Sequence, residues 1–256
     1  MTDSKRLSRQ RYDKFAQEYV YSESHAKGDD LDRLVAIAQP QATWHVLDIA
    51  TGGGHTALKF APHVAHVIAS DLTPKMLDAA REFIIRQGVT NVAFKQADAE
   101  DLPFADGTFD LVTCRIAPHH FPDAARFVRE VARVLKTGGL FLMQDHVLSE
   151  DSEAMHYADH FEKVRDPSHN RAYNESEWRA MFTDAGLAVE YTEQLTKRHT
   201  LIPWARRQGH DDAFIEHLRG LLRDAPDRAF AWMQPQDIES PDASFVNHHL
   251  IIAGRK

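Results

Sequence analysis

Five short apolar runs between residues 44 and 147, each closed by a glycine-rich or acidic break, limit this chain's fold more than any other feature. His45 to Ala50 stops at Thr51-Gly52-Gly53-Gly54, and Ala65 to Ser70 ends at Asp71. Asn91 to Gln96 precedes Ala97-Asp98-Ala99-Glu100-Asp101. Thr108 to Cys114 follows the turn Asp106-Gly107, and Leu140 to Val147 follows Gly138-Gly139. Runs of this length bounded by turn residues suit strands buried on both faces. Helical patterns separate them. Thr73-Pro74 opens one, with Pro favoured in a first turn, an apolar stripe of Met76, Leu77, Ala80 and Ile84, and Gly88 as its stop. Asp123 to Lys136 forms an amphipathic second. This alternation predicts an α/β fold with a parallel sheet covered on both faces, its strands' carboxyl ends sharing one edge where ligands bind.

The flanks are more helical. Tyr12, Phe15 and Tyr19 recur at three- and four-residue spacing and share one helical face. After Gly28-Asp29, Asp30 is placed to cap a second helix running through Leu31, Leu34, Val35 and Ile37, which Pro40 ends. Residues 148–185 read as helical, with Asn174-Glu175-Ser176-Glu177 as a helix start. Leu187 to Leu195 and Phe245 to Gly254 read as two later strands, and 203–240 as a helical cap. No internal repeat or low-complexity linker divides the chain. The expectation is a single domain over 1–256: N-terminal lid helices at 1–40, a ligand-binding core at 44–147, a cap with the sixth strand at 148–240, and a final strand at 245–256.

Composition excludes several roles. The 256 residues carry 30 Lys+Arg against 38 Asp+Glu, a formal charge of −8, so the chain repels nucleic-acid phosphates unless a local patch overrides the balance. Arg206-Arg207 and Lys197-Arg198 are too short to do so; no nucleic-acid partner is expected. A single cysteine, Cys114, forms no intrachain disulfide and reads as a buried small apolar residue. The start MTDSKRLSRQ lacks the apolar run of a signal peptide, and no apolar stretch nears the roughly 18 residues of a membrane span. The chain is therefore expected to be soluble and cytoplasmic, with no membrane association.

The local signal richest in chemistry is Asp48-Ile49-Ala50-Thr51-Gly52-Gly53-Gly54, with Asp71 ending the second run. Glycines after a first strand let backbone approach a ligand closely, and an acid ending the second strand can hold a ribose diol. A tight turn with an exposed aspartate would look the same, and Gly52-x-Gly54-x-x-Ala57 also fits an alanine-tolerant dinucleotide fingerprint. Two details favour a sulfonium nucleoside. Asp48 places a carboxylate directly before the loop, where a pyrophosphate would be repelled and the ammonium and sulfonium of S-adenosylmethionine attracted. Asp98, after the third run, can accept hydrogen bonds from an adenine amino group between apolar neighbours, although it could equally cap a helix.

VLDIATGGGHTAL, IASD, ADAEDLPF, FDLVTCRIAPHHF and EVARVLKTGGLFLMQDH resemble, in order and spacing, the class I S-adenosylmethionine-dependent methyltransferases. The resemblance covers about residues 10–190 and is nearest to the ubiquinone/menaquinone biosynthesis-like (methyltransferase type 11) branch. It implies a Rossmann-like sheet of seven strands in the order 3-2-1-4-5-7-6, the last strand antiparallel. It implies S-adenosylmethionine as cofactor, leaving as S-adenosylhomocysteine, with Asp48, Gly52 and Gly54 along its methionine part, Asp71 at the ribose and Asp98-Ala99 at the adenine. Ala50, Leu72, Met76 and Arg115 complete this candidate cofactor set; Ala50 departs from the pattern, since many relatives carry glycine there. The implied activity is methyl transfer to a small-molecule acceptor. A lyase, cyclase or nucleoside sensor on the same scaffold, or a nicotinamide-dependent oxidoreductase, stands as the alternative.

Candidate chemistry gathers at the ends of strands four and five. His119 or His120 could deprotonate an acceptor, because imidazole titrates near neutrality; alternatively one caps the loop and the other packs. Asp145-His146 is a second candidate base with its orienting carboxylate, or a structural hydrogen-bonded pair. Arg165-Asp166-Pro167-Ser168-His169 either clamps a polar substrate or turns the chain between lid helices. Tyr19 and His25 could reach the cofactor from a closing N-terminal lid. Trp178, Met181 and Phe182 fit either core or acceptor-pocket wall. The sixteen histidines lack metal-ligand spacing, so no metal is expected. The polar, aromatic character of the lid suits a polar or aromatic acceptor over a long lipid, and its aromatic helices leave room for a homodimer contact.

Overall fold

A computed structural model describes residues 3–20 and 29–256. Helices α1 (Asp3–Val20) and α2 (Asp29–Ala38) precede the sheet, as the aromatic spacing and Pro40 predicted. The core then runs β1 (His45–Ile49), α3 (His55–Phe60), β2 (His66–Asp71), α4 (Pro74–Arg86), β3 (Val92–Gln96), β4 (Phe109–Arg115), α5 (Ala124–Val134) and β5 (Leu135–Leu148). After it come α6 (Ser152–Arg165), the two-residue β6 (Tyr173–Asn174), α7 (Glu175–Asp184), β7 (Ala188–Thr200), α8 (Leu201–Arg206), α9 (Asp212–Arg223), α10 (Asp227–Met233) and β8 (Ser244–Arg255).

The sheet order is β3-β2-β1-β4-β5-β8-β7, with β6 paired only to β5. Leaving out that short strand gives the expected order 3-2-1-4-5-7-6, and β8 runs antiparallel to both β5 and β7. Both faces are covered. Leu47, Val112, Phe141 and Ile252 pack under α5 and α7, while Val46, Val67, Leu111 and Ile251 pack under α2 to α4. A third cluster, centred on Phe161, Trp204, Leu218 and Phe245, joins the cap helices to the ends of β5 and β8. Among the described residues no helix is long and apolar enough to cross a membrane.

Local chemistry explains most boundaries. Pro74 opens α4, and Gly88 follows its end at φ +76°, a conformation that costs a glycine nothing. Asp123 caps α5 by accepting from the Arg126 N–H, and Asn174 and Glu177 form a reciprocal capping box at the start of α7. Asp30 is not a cap. It lies within α2, and its carboxylate is drawn to Arg115 instead. The expected helical stretch 148–185 is broken at 166–174, because Asp166 accepts from the Ser168 N–H and folds the chain into a turn. Strand β5 starts five residues before its expected start at Leu140, since Leu135 pairs with Phe109 across an irregular register. Strand β7 runs past Leu195 to Thr200; its polar end pairs with β8 on one side only, as an edge strand's charged residues allow.

Trp178 and Phe182 are fully buried in the core and do not reach the cleft described below. Phe182 stacks on Phe141 at 4.9 Å, and it lies so near Gly254 that a Cβ there would sit 2.7 Å from its ring. Glycine at 254 is thus a packing requirement of α7 on β8.

Candidate active site

The carboxyl ends of β1, β2, β3 and β4 open onto one cleft, roofed by α1. Its floor is Ile49 to Gly53; its sides are Asp71 to Thr73 with Met76, Ala97 to Glu100, and Arg115 to Ala117; His120, Phe121 and Pro122 close one end. Helix α1 contributes Lys5, Ser8 and Tyr12.

The two loop glycines do different work. Gly52 lies at φ +53°, and a Cβ there would meet no side chain closer than the Met76 Cε at 3.7 Å, so its bare face belongs to the cleft. Gly54 lies outside the cleft. It is the N-cap of α3 at φ +85°, and a Cβ would come within 2.9 Å of Ile84 on α4. Its absent side chain lets two helices meet. Ala50 and Ile116, both lining the cleft, also sit in the left-handed region at φ +51° and +52°. Alanine tolerates this at a modest cost; for the β-branched Ile116 it is a genuine strain, held where its N–H donates to Gln144 O.

Asp48 also stands apart from its expected role. Its carboxylate is buried beneath the loop, accepting from Thr51 Oγ1 at 2.6 Å and Thr113 Oγ1 at 2.7 Å, and it does not line the cleft. Burial pushes its pKa up to about 6. It braces the loop from below.

Asp71 does line the cleft. Gly52 N–H donates to one of its oxygens at 3.1 Å and Thr73 N–H to the other at 2.9 Å, which fixes the carboxylate at the cleft wall. At the far side Asp98 accepts from Glu100 N–H in a local turn rather than capping a helix. Lys5 spans both acids, 2.7 Å from Asp98 and 2.6 Å from Glu100. Leu72, Met76 and Ala99 supply apolar wall. Arg115 lines the cleft while its guanidinium holds Asp30 at 2.6 Å, tying α2 to the end of β4. Of the lid candidates, Tyr19 lies on α1 with its side chain outside the described residues, and His25 lies outside them altogether.

The histidines assemble from four segments into a stack. His119 lies 4.1 Å from His120, 4.6 Å from His146 with their planes 8° apart, and 5.3 Å from His169, centroid to centroid. His146 meets His249 edge-on at 4.8 Å. Such rings lie over one another instead of converging, and no described group of three His, Cys, Asp or Glu could hold a metal. His119 Nδ1 and its backbone N–H both donate to Asp145, at 2.6 and 2.7 Å, and the ring does not line the cleft. Burial holds the His119 pKa well below the ordinary imidazole value, takes His146 to about 4 and lifts Asp145 to about 6. His146 likewise stays behind the wall. Only His120 of the three reaches the cleft.

The Arg165-to-His169 cluster is the turn that positions His120. The Ser168 carbonyl lies 2.9 Å from His120 Nδ1, Asp166 accepts from the Ser168 hydroxyl, and Asn170 and Arg171 N–H both donate to His119 O. Arg165 lies over the Trp204 ring at 4.3 Å. Sequence reasoning missed Lys5, Ser8 and His55 as cleft residues; the basic and aromatic alternation of α1 was the only signal for the first two.

The cleft fits an adenosyl nucleoside. Fixed carboxylates stand at two points, apolar wall lies between them, and backbone at Gly52 is open to close approach.

Comparison with known proteins agrees. Residues 47–143 match the Methyltransferase domain family model. The chain is 40% identical over 220 residues to the uncharacterised methyltransferase YcgJ of Bacillus subtilis (strain 168), covering 84% of this chain and 87% of that protein. The crystal structure of YcgJ superposes with a TM-score of 0.85 at 38% identity, over 89% of this chain and 98% of that one. A ubiquinone/menaquinone biosynthesis C-methyltransferase, UbiE of Zymomonas mobilis, is 32% identical over 114 residues, 44% of this chain and 47% of that protein. The chain therefore belongs to the class I S-adenosylmethionine-dependent methyltransferases and uses S-adenosylmethionine as its cofactor.

Proposed function

We propose that this methyltransferase acts on a small-molecule acceptor by in-line displacement, with the nucleoside held between Asp71 and Asp98 and the acceptor seated toward His120. S-adenosylmethionine, when bound, supplies a methyl group on an electron-poor sulfonium. The chain's own residues hold the reactants in line and keep water out, and such positioning supplies much of the acceleration in a displacement of this kind. Gly52 and Asp71 fix one partner, Arg115 and Ile116 form the wall beside the reacting centre, and α1 closes over both.

His120 carries the proposal, as the one of the three candidate histidines that lines the cleft. Burial lowers its pKa, so the ring is neutral at pH 7 and able to accept a proton. His119 and Asp145 act behind it as a rigid support, and His146 belongs to that support.

The test is release of S-adenosylhomocysteine over a panel of small polar and aromatic acceptors, followed by mass spectrometry of the products. Transfer to a small molecule, lowered about tenfold or more by His120→Gln with unchanged S-adenosylhomocysteine affinity, supports the reading. Transfer only to protein or nucleic acid would contradict it.

A further inference from the structure

Helix α1 brings one more hydroxyl into the site. Tyr12 lies with its Oη 2.6 Å from His120 Nε2, and both residues line the cleft. The helix is pinned on either side of it. Lys5 reaches Asp98 and Glu100 on one wall, while Arg11 Nε donates to Gln208 Oε1 at 2.8 Å and lies 3.2 Å from Asp166 on the other.

The hydrogen-bond pattern fixes the tautomer of His120. Its Nδ1 faces the Ser168 carbonyl oxygen at 2.9 Å, an atom that only accepts, so Nδ1 carries the hydrogen. Nε2 is then the bare lone pair, and the Tyr12 O–H donates to it. The ring is a base aimed at a hydroxyl rather than a donor aimed at a ligand.

We propose that Tyr12 and His120 form the proton-accepting pair of the site, assembled by α1 over the cleft, and that the acceptor gives up a proton from a phenolic or enolic hydroxyl. This rests on the reading of the cleft as the place of methyl transfer. As the acceptor O–H breaks, its proton passes to the Tyr12 oxygen while the Tyr12 proton moves onto His120 Nε2. The acceptor oxygen's electron pair forms the new O–CH3 bond, the S–CH3 electron pair returns to sulfur, and the imidazolium later releases its proton to water. A phenol and a tyrosine hydroxyl have similar ordinary pKa values, about 10, so the exchange between them costs little. A thioether or a tertiary amine has no proton to lose and gives such a pair nothing to do.

The groups around His120 are fixed from several elements. Asp166, Ser168 and His169 face it from the turn after α6, Asp145 and His146 from β5, His119 from its own loop and Tyr12 from α1. Asp166 and Asp145 favour the charged ring, while burial and His169 oppose it. The Tyr12 hydroxyl donates to the neutral ring and can turn to accept from the charged one, a stronger bond, so its removal lowers the His120 pKa further.

The experiment compares the full chain with Tyr12→Phe, using His120→Gln to assign the His120 Cε1–H resonance. In protein without ligand, the His120 titration midpoint is expected to fall by about half a unit or more in Tyr12→Phe. With S-adenosylmethionine and a panel of substituted phenols, kcat is expected to fall about tenfold or more while KM stays within about twofold. The acidic limb of kcat moves down with the resonance. An unmoved midpoint overturns the pair. A fall in kcat with the limb in place overturns it too, since a merely structural tyrosine would do that. No transfer to any phenol or enol overturns the acceptor class, whereas failure to bind S-adenosylhomocysteine would instead sink the reading of the cleft.

Discussion

Two kinds of buried polar chemistry meet at the same edge of the sheet, and they are built differently. On the β1–β2 side, carboxylates are held by nearby backbone and hydroxyl donors: Asp71 by Gly52 and Thr73, Asp48 by Thr51 and Thr113. On the β4–β5–β8 side, imidazoles from four separate segments stack on one another, and His249 has no hydrogen-bond partner at either ring nitrogen among the described residues. The first arrangement holds each carboxylate by fixed hydrogen-bond donors on adjacent strands and their loops. The second depends on long-range packing and on neutral rings, so acid and core substitutions strike it first.

The largest expected effect that sharpens this contrast is Asp145→Ala. It strips the acceptor from two buried donors of His119, and should cost about 4 kcal/mol of stability in urea unfolding. A cost near that of an ordinary surface substitution would show that the stack does not depend on its carboxylate.

Acid should separate the two regions next. His146 has a folded pKa of about 4 against an ordinary 6.5. A depressed folded pKa gives stability that is present above 6.5 and lost as pH falls from 6.5 toward 4, up to about 3 kcal/mol from this residue. Asp48 has the opposite sign. Its pKa is raised to about 6, so below that pH the folded state takes up a proton first and the glycine-loop side gains. Hydrogen exchange at pH 5 should therefore show β5 and β8 amides opening before those of β1 and β2. Uniform opening would erase the distinction.

The two glycines give the smaller and finer tests. Gly54→Ala should lower stability by about 2 kcal/mol, from its left-handed backbone and the close Ile84, while the folded fraction keeps its cofactor affinity. Gly52→Ala carries only the left-handed backbone cost, about 1 kcal/mol without the Ile84 clash, but should lose about tenfold in affinity, near 1.4 kcal/mol. If both variants lost affinity equally, Gly54 would belong to the cleft after all.

The same contrast explains what could be read in the sequence. The alternation of strands and helices, the helix start at Asn174 and the turn at Gly52 depend on neighbours a few residues away, and each was legible, whereas the strand order came only from the family resemblance. Asp71 stood out because an acid ending a buried run has few other uses. Asp48 was equally visible, but spacing cannot tell a carboxylate above a loop from one below it. The histidines were visible as letters only. That His119 turns inward to Asp145 while His120 faces the cleft depends on the 166–171 turn hydrogen-bonding back to His119 and His120, a contact about fifty residues distant. Lys5 and Tyr12 were hidden for the same reason: nothing local says that α1 lies across the cleft.

The most direct test of the account is titration calorimetry of S-adenosylhomocysteine with wild type, Asp71→Ala and His120→Gln. The account predicts that Asp71→Ala weakens binding about tenfold or more, while His120→Gln stays within about twofold of wild type. Equal weakening by both, or full affinity in Asp71→Ala, would contradict the division of the cleft into a nucleoside end and a proton-accepting end.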